Sequence, residues 1–174
     1  MPRENILALL AGGDRRSIGH SDQVAVIVSR NPGLFPELIA GLWSTDPLIR
    51  MRAADAAEKV SRKNPELLQP HKKKLLDLMV EAQQQELCWH LAVMVPRLSL
   101  SSKERQHVAY LLGNYLEARS SIVKTFALQG LTDLAQNDPE IRPGAIKILR
   151  EAGKNGTPAM KARSRKLLHR LEES

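Results

Sequence analysis

Asp46-Pro47-Leu48-Ile49-Arg50-Met51-Arg52-Ala53-Ala54-Asp55-Ala56-Ala57 opens a helix. Asp46 caps the entry, Pro47 suits the first turn, and the alanines leave room for a second helix to approach. The same pattern returns 74 residues later as Val123-Lys124-x-x-Ala127-Leu128-x-Gly130-Leu131. It returns once more, a further 37 residues on, as Met160-Lys161-x-x-Ser164-x-x-Leu167-Leu168 after Thr157-Pro158.

A second signature keeps the same register. Asn31-Pro32-Gly33-Leu34-Phe35-Pro36, Asn64-Pro65-Glu66-Leu67-Leu68-Gln69-Pro70 and Asp138-Pro139-Glu140-Ile141-Arg142-Pro143 start 33 and then 74 residues apart. The second interval is twice 37, so a degenerate copy belongs between its ends. Each signature predicts a helix–turn–helix joint. The proline keeps the preceding Asn64 or Asp138 out of helical φ/ψ, and Asn or Asp then caps the next helix. The Leu or Ile between the prolines plugs the joint. The degenerate copy reads as a helix over Gln84–Val95, stopped by Pro96, and a second helix opened by the capping box Ser101-x-x-Glu104. That second helix sends Val108, Leu111 and Leu112 to the core.

The resulting array has a capping helix at 2–11, repeats at 17–44, 46–82, 83–117 and 119–152, and a terminal half-repeat at 157–172. The predicted class is all-α: a solenoid of about four to five helical hairpins, none able to bury its apolar face without a neighbour. The first repeat departs from the pattern. His20 and Ser21 hold its alanine positions, so its first helix is expected to start late or irregularly.

The D-P-x-I-R-x-x-A-A-x-A start and the N-P-x-L-x-P joint resemble HEAT repeats over nearly the whole chain. Gly12-Gly13-Asp14-Arg15-Arg16-Ser17-Ile18-Gly19, with Trp89-His90-Leu91-Ala92 and Pro96-Arg97-Leu98, is similar to small bacterial HEAT-repeat proteins. The resemblance implies an armadillo-like, right-handed α-α superhelix with a binding or scaffolding role, and it carries over no catalytic residue.

Composition narrows the classes. With 43% hydrophobic and 26% charged residues the chain has the make-up of a folded domain, and 3% aromatics favours packed helices over sheets. One cysteine, Cys88, excludes an internal disulfide and a cysteine-based zinc site. It is expected near the core as an inert thiol. The apolar run Ile6–Ala11 is only six residues and gives way to Gly12-Gly13-Asp14. That is too short for a signal peptide or a membrane span, so a cytoplasmic location is expected. Gly12-Gly13-Asp14 itself reads as a helix C-cap and turn rather than a phosphate loop, because no lysine follows in place.

No enzyme is read from these residues. His20, His71, His90, His107 and His169 are scattered without metal-ligand spacing, and no nucleophile–base pair is apparent. His90 reads as a packed, hydrogen-bonded core histidine. No catalytic residue, cofactor or metal is assigned.

Charge is the suggestive feature. The chain carries a net +7 and a sequence pI near 9.8. Lys154, Lys161, Arg163, Arg165, Lys166 and Arg170 fall between residues 154 and 171 with no acid among them. Arg15, Arg16, Arg50, Arg52, Arg62 and Lys63 add more, and His71-Lys72-Lys73-Lys74 heads a second helix. Second helices tend to line a solenoid's concave face. Lys73, Lys74, Arg105, Lys147 and Arg150 are therefore candidates for a cationic stripe, with Lys161, Arg163, Arg165 and Lys166 at the C-terminal end. The competing reading is a solvated cap that keeps the end repeat soluble.

Three functions from different classes are compatible with these residues. The first is a scaffold for a protein partner, argued from architecture. The second is sequence-independent nucleic-acid binding through phosphates. The third is a base-glycosylase-like enzyme, which needs an acid framed by aromatics in a cleft. For the third, Trp43 and Trp89 belong to different repeats, and Asp46 and Glu86 read as helix-start residues.

Overall fold

A computed structural model describes residues 5–14 and 16–174 of the chain. Every regular element among them is helical. They form two compact units, residues 1–71 and 72–174, divided inside the 46–82 repeat at the end of its joint.

The first unit holds α1 (Ile6–Leu10), α2 (Ser21–Arg30), α3 (Phe35–Ala40) and α4 (Pro47–Lys63), with 3-10 turns over Pro32–Leu34, Gly41–Trp43 and Pro65–His71. The capping helix is shorter than the 2–11 span, because Asn5 caps it by accepting from Ala8 N at 3.2 Å; residues 2–4 lie outside the described residues. Ile6 and Leu10 are fully buried, and α1 packs on α2, α3 and α4. The turn after α1 begins at Ala11, the C-cap, and Gly12 and Gly13 follow with φ of 75° and 83°. As the alanine-poor start implies, α2 begins only at Ser21, whose hydroxyl is buried and donates to Asp55 of α4.

The second unit holds α5 (Lys72–Glu81), α6 (Gln85–Met94), α7 (Ser102–Tyr115), α8 (Ser121–Gln136), α9 (Arg142–Asn155) and α10 (Pro158–Glu173), with a 3-10 turn over Val95–Arg97 at Pro96. The helix α8 packs on α6, α7, α9 and α10. Its closest approach is at Gly130, where a Cβ would stand 2.2 Å from the Ala92 carbonyl oxygen.

The joints form where the prolines place them, but Asn31 makes no side-chain bond that caps the turn after it. Leu34, Leu68 and Ile141 are buried between the prolines of the three signatures. Asn31 and Asn64 are the C-caps of α2 and α4. The third joint differs by one residue: α8 ends at Gln136 with Asn137 as C-cap. Asp138 instead turns its carboxylate forward, accepting from Glu140 N at 3.0 Å. Asp46, Ser120 and Thr157 cap α4, α8 and α10, and the Ser101–Glu104 capping box is complete in both directions.

Candidate functional site

The second unit carries most of the charge, with 17 Lys and Arg against 11 Asp and Glu. Its folding sorts the predicted cations into paired and unpaired. Arg105 on α7 is half-buried. It donates to Asp138 at 2.7 Å and to the Leu100 carbonyl at 2.6 Å, so its charge is spent on holding α7 to the joint before α9. This neighbouring guanidinium is the main reason the Asp138 carboxyl is held below its ordinary value. Lys73 pairs with Asp77 one turn along α5, and Arg150 of α9 with Glu172 of α10, both on open surface. Arg163 turns inward: it donates to Gln129 at 3.0 Å and lies 5.9 Å from the Phe126 ring centroid. Lys74, Lys147, Lys161, Arg165 and Lys166 are less enclosed, and none pairs with an acid among the described residues. Three of these five stand on α10. The predicted line through α5, α7 and α9 is interrupted by pairing, whereas the outer face of α10 collects unpaired cations.

Arg52, which the sequence groups with the other basic residues, is 2% exposed, inside the first unit. Its guanidinium donates to the carbonyls of Leu10, Gly12, Asp14 and Ser17 at 2.5–3.2 Å. Its five N–H groups in a rigid fork suit this cage of carbonyls. Gly19 closes the cage, with φ of 54° and a Cβ position 2.7 Å from Arg52 Cζ.

A groove of about 780 Å³ opens in the second unit, where the C-terminal end of α7 and helix α8 face α9 and the start of α10. Leu116, Leu128, Ile148, Ala152 and Met160 give it apolar walls, and Lys147, Glu117 and Glu151 line it as well. Gly144 also lines it, and nothing lies within 4 Å of where its Cβ would be. The apolar periodicity marks these positions as core. Only the missing side chain at Gly144 hints in the sequence that the core is left uncovered there.

Of the residues weighed for catalysis, Trp43 is 42% exposed in the first unit, and most of the others have structural roles. Asp46 caps α4, and Glu86 stands in the first turn of α6. Trp89 stacks on Phe126 with centroids 6.4 Å apart. His90 is buried: its Nε2 accepts from the Trp89 indole, so Nδ1 carries the proton and donates to the Glu86 carbonyl at 2.6 Å. Cys88 is buried too, and burial raises its thiol above the ordinary value. Among the described residues no three His, Cys, Asp or Glu side chains gather to hold a metal ion. No described helix is long and apolar enough to cross a membrane. Compared with models of known protein families and with curated proteins, the chain matches none.

Proposed function

We propose that this chain is a non-enzymatic HEAT-type binding module of the cytoplasm, presenting a helical solenoid surface to a protein partner. Its seat is the groove between Leu116, Leu128, Ile148 and Met160. The observation that carries this reading is the groove itself: apolar walls on packed helices, open to solvent, with Lys147, Glu117 and Glu151 beside them. Such a surface suits an amphipathic helix or extended segment that inserts aliphatic side chains and meets charges of both signs around them. The 37-residue periodicity supports the solenoid, because stacked hairpins present grooves of this kind along their length.

The test is selection of peptides from a random display library on the intact protein, with counter-selection on Gly144→Phe. The new ring enters open space in the groove, so the variant should fold normally. Peptides that bind the natural chain and not Gly144→Phe support the reading. A selection yielding none, or only peptides indifferent to Gly144→Phe, removes it.

A further inference from the structure

The buried face of α8 reveals what α10 has become. Thr125, Leu128, Thr132 and Ala135 are buried in α8, and the residues 37 further on are Ala162, Arg165, His169 and Glu172, none of them buried. The repeat pattern therefore continues into α10, but the face that a following unit would cover is polar. An end unit needs such a face, and mixed charges would provide it. The C-terminal half of α10 is of that kind, with His169 beside Glu173 at 3.0 Å and Arg150 reaching Glu172 at 3.1 Å.

The stretch from Lys161 to Lys166 is different. Lys161, Arg165 and Lys166 point outward with no acidic partner among the described residues, and the first turn of α10 contains no acid. Lys161 and Arg165 are like charges one turn apart, which weakens a helix. Lys161 also closes the first turn of α10, where the helix dipole disfavours cations. Solubility requires neither arrangement. Lys124 occupies the matching position on α8, 37 residues before Lys161. The two helices are held in register by the Ser121–Thr157 hydrogen bond of 2.7 Å and the Asp133–Arg170 pair. Lys154 adds a further charge in the last turn of α9.

We propose that this face of α10, formed by Lys161, Arg165 and Lys166 with Lys124 and Lys154 alongside, binds the phosphodiester backbone of nucleic acid without reading sequence. Charge complementarity selects the partner, and the neighbouring residues narrow it. Met160, Leu167 and Leu171 are buried and Leu168 is half-buried, so α10 has no exposed large apolar side chain to insert into a lipid surface. Phe126 is engaged by Trp89 and by the Arg163 guanidinium, so neither ring offers a free stacking platform for bases. Phosphates are the remaining recognition element. The surface is distinct from the groove, and its test is independent of the groove's.

The experiment is fluorescence anisotropy of the whole chain with labelled random-sequence duplex DNA and single-stranded RNA. Three phosphates neutralised on duplex DNA give a log–log salt slope near −2.7, so affinity should fall about 40-fold between about 50 and 200 mM salt. Lys161→Gln/Arg165→Gln/Lys166→Gln should lose most of that affinity and slope. Lys73→Gln/Lys74→Gln should keep both, and circular dichroism melting should show both variants folded. Arg165→Lys, which keeps the charge, should bind nearly as well as the natural chain. The proposal is overturned by absence of binding at the lower salt, by affinity indifferent to salt, or by full affinity in the triple variant. Binding to phosphatidylserine vesicles without binding to either nucleic acid overturns it equally.

Discussion

Asp133 of α8 and Arg170 of α10 stand 37 residues apart and form an ion pair of 2.5 Å. Asp22 of α2 and Lys59 of α4 form the same kind of pair over the same interval, at 2.6 Å, in the other unit. Trp89, Phe126 and Arg163 keep that spacing too, and contact one another in turn along α6, α8 and α10. Within each unit the 37-residue period in the sequence is thus also a period of contacts, in which a residue meets the one a period further on.

The caged guanidinium of Arg52 gives the first prediction. Arg52→Met leaves carbonyls of residues 10–17 facing a methionine, and unsatisfied buried acceptors cost about 3 kcal/mol in total. Arg52→Lys should recover little, because an ammonium cannot reproduce the planar fork. Urea unfolding of both variants checks this; a lysine variant as stable as the natural chain would contradict the cage.

Gly130→Ala tests the contact between α6 and α8. A methyl group 2.2 Å from the Ala92 carbonyl oxygen must push the helices apart. Overpacking of this kind costs about 1–3 kcal/mol, despite alanine's better helix propensity. A rise in the melting temperature would show that the approach is looser than described.

Ser164 is buried in α10, and its hydroxyl has no hydrogen-bond partner among the described residues. The repeat-equivalent residue is Ala127. Ser164→Ala should therefore stabilise the fold by about 1 kcal/mol, the order of the penalty for an unpaired buried group. Thermal melting reads it directly.

Asp138 sets an acid limit. Arg105 holds its carboxyl below the ordinary value, so the folded state binds that proton less readily than the unfolded chain. The contribution is complete above the unfolded value of about 3.9 and is lost as pH falls through the lower folded value. Arg105→Met should cost about 2 kcal/mol at neutral pH, with the difference from the natural chain shrinking below about pH 4. Stability measured across that range in both chains decides it.

Cys88 should react slowly with a thiol reagent in the native protein and rapidly in denaturant, because burial disfavours its thiolate. Native labelling as fast as that of a free thiol would place the sulfur at the surface.

Much of the fold is legible residue by residue. Pro32, Pro65 and Pro96 place turns, Ser101 and Glu104 mark a helix start, and the weak start at His20-Ser21 foretells the late beginning of α2. These signals act over one turn of chain, where backbone geometry and capping bonds decide the outcome. Asp138 misleads by one residue, because an Asp before Pro serves equally as the end of one helix or the cap of the next turn.

Sequence by itself determined the helices, their joints and the 37-residue period, since each depends on local propensity and on which face is apolar. Tertiary structure alone decided what the charges do. Arg52 and Arg165 are the same residue in the same chemical form, yet one is caged in the interior and the other stands in solvent. The partners that separate such fates lie about one repeat away in the chain, as Asp138 does from Arg105, so only packing brings them together. The groove has the same origin: packing brings the buried Leu128, Ala152 and Met160 beside the half-buried Leu116 and Ile148, and Gly144 places no side chain in the space between them.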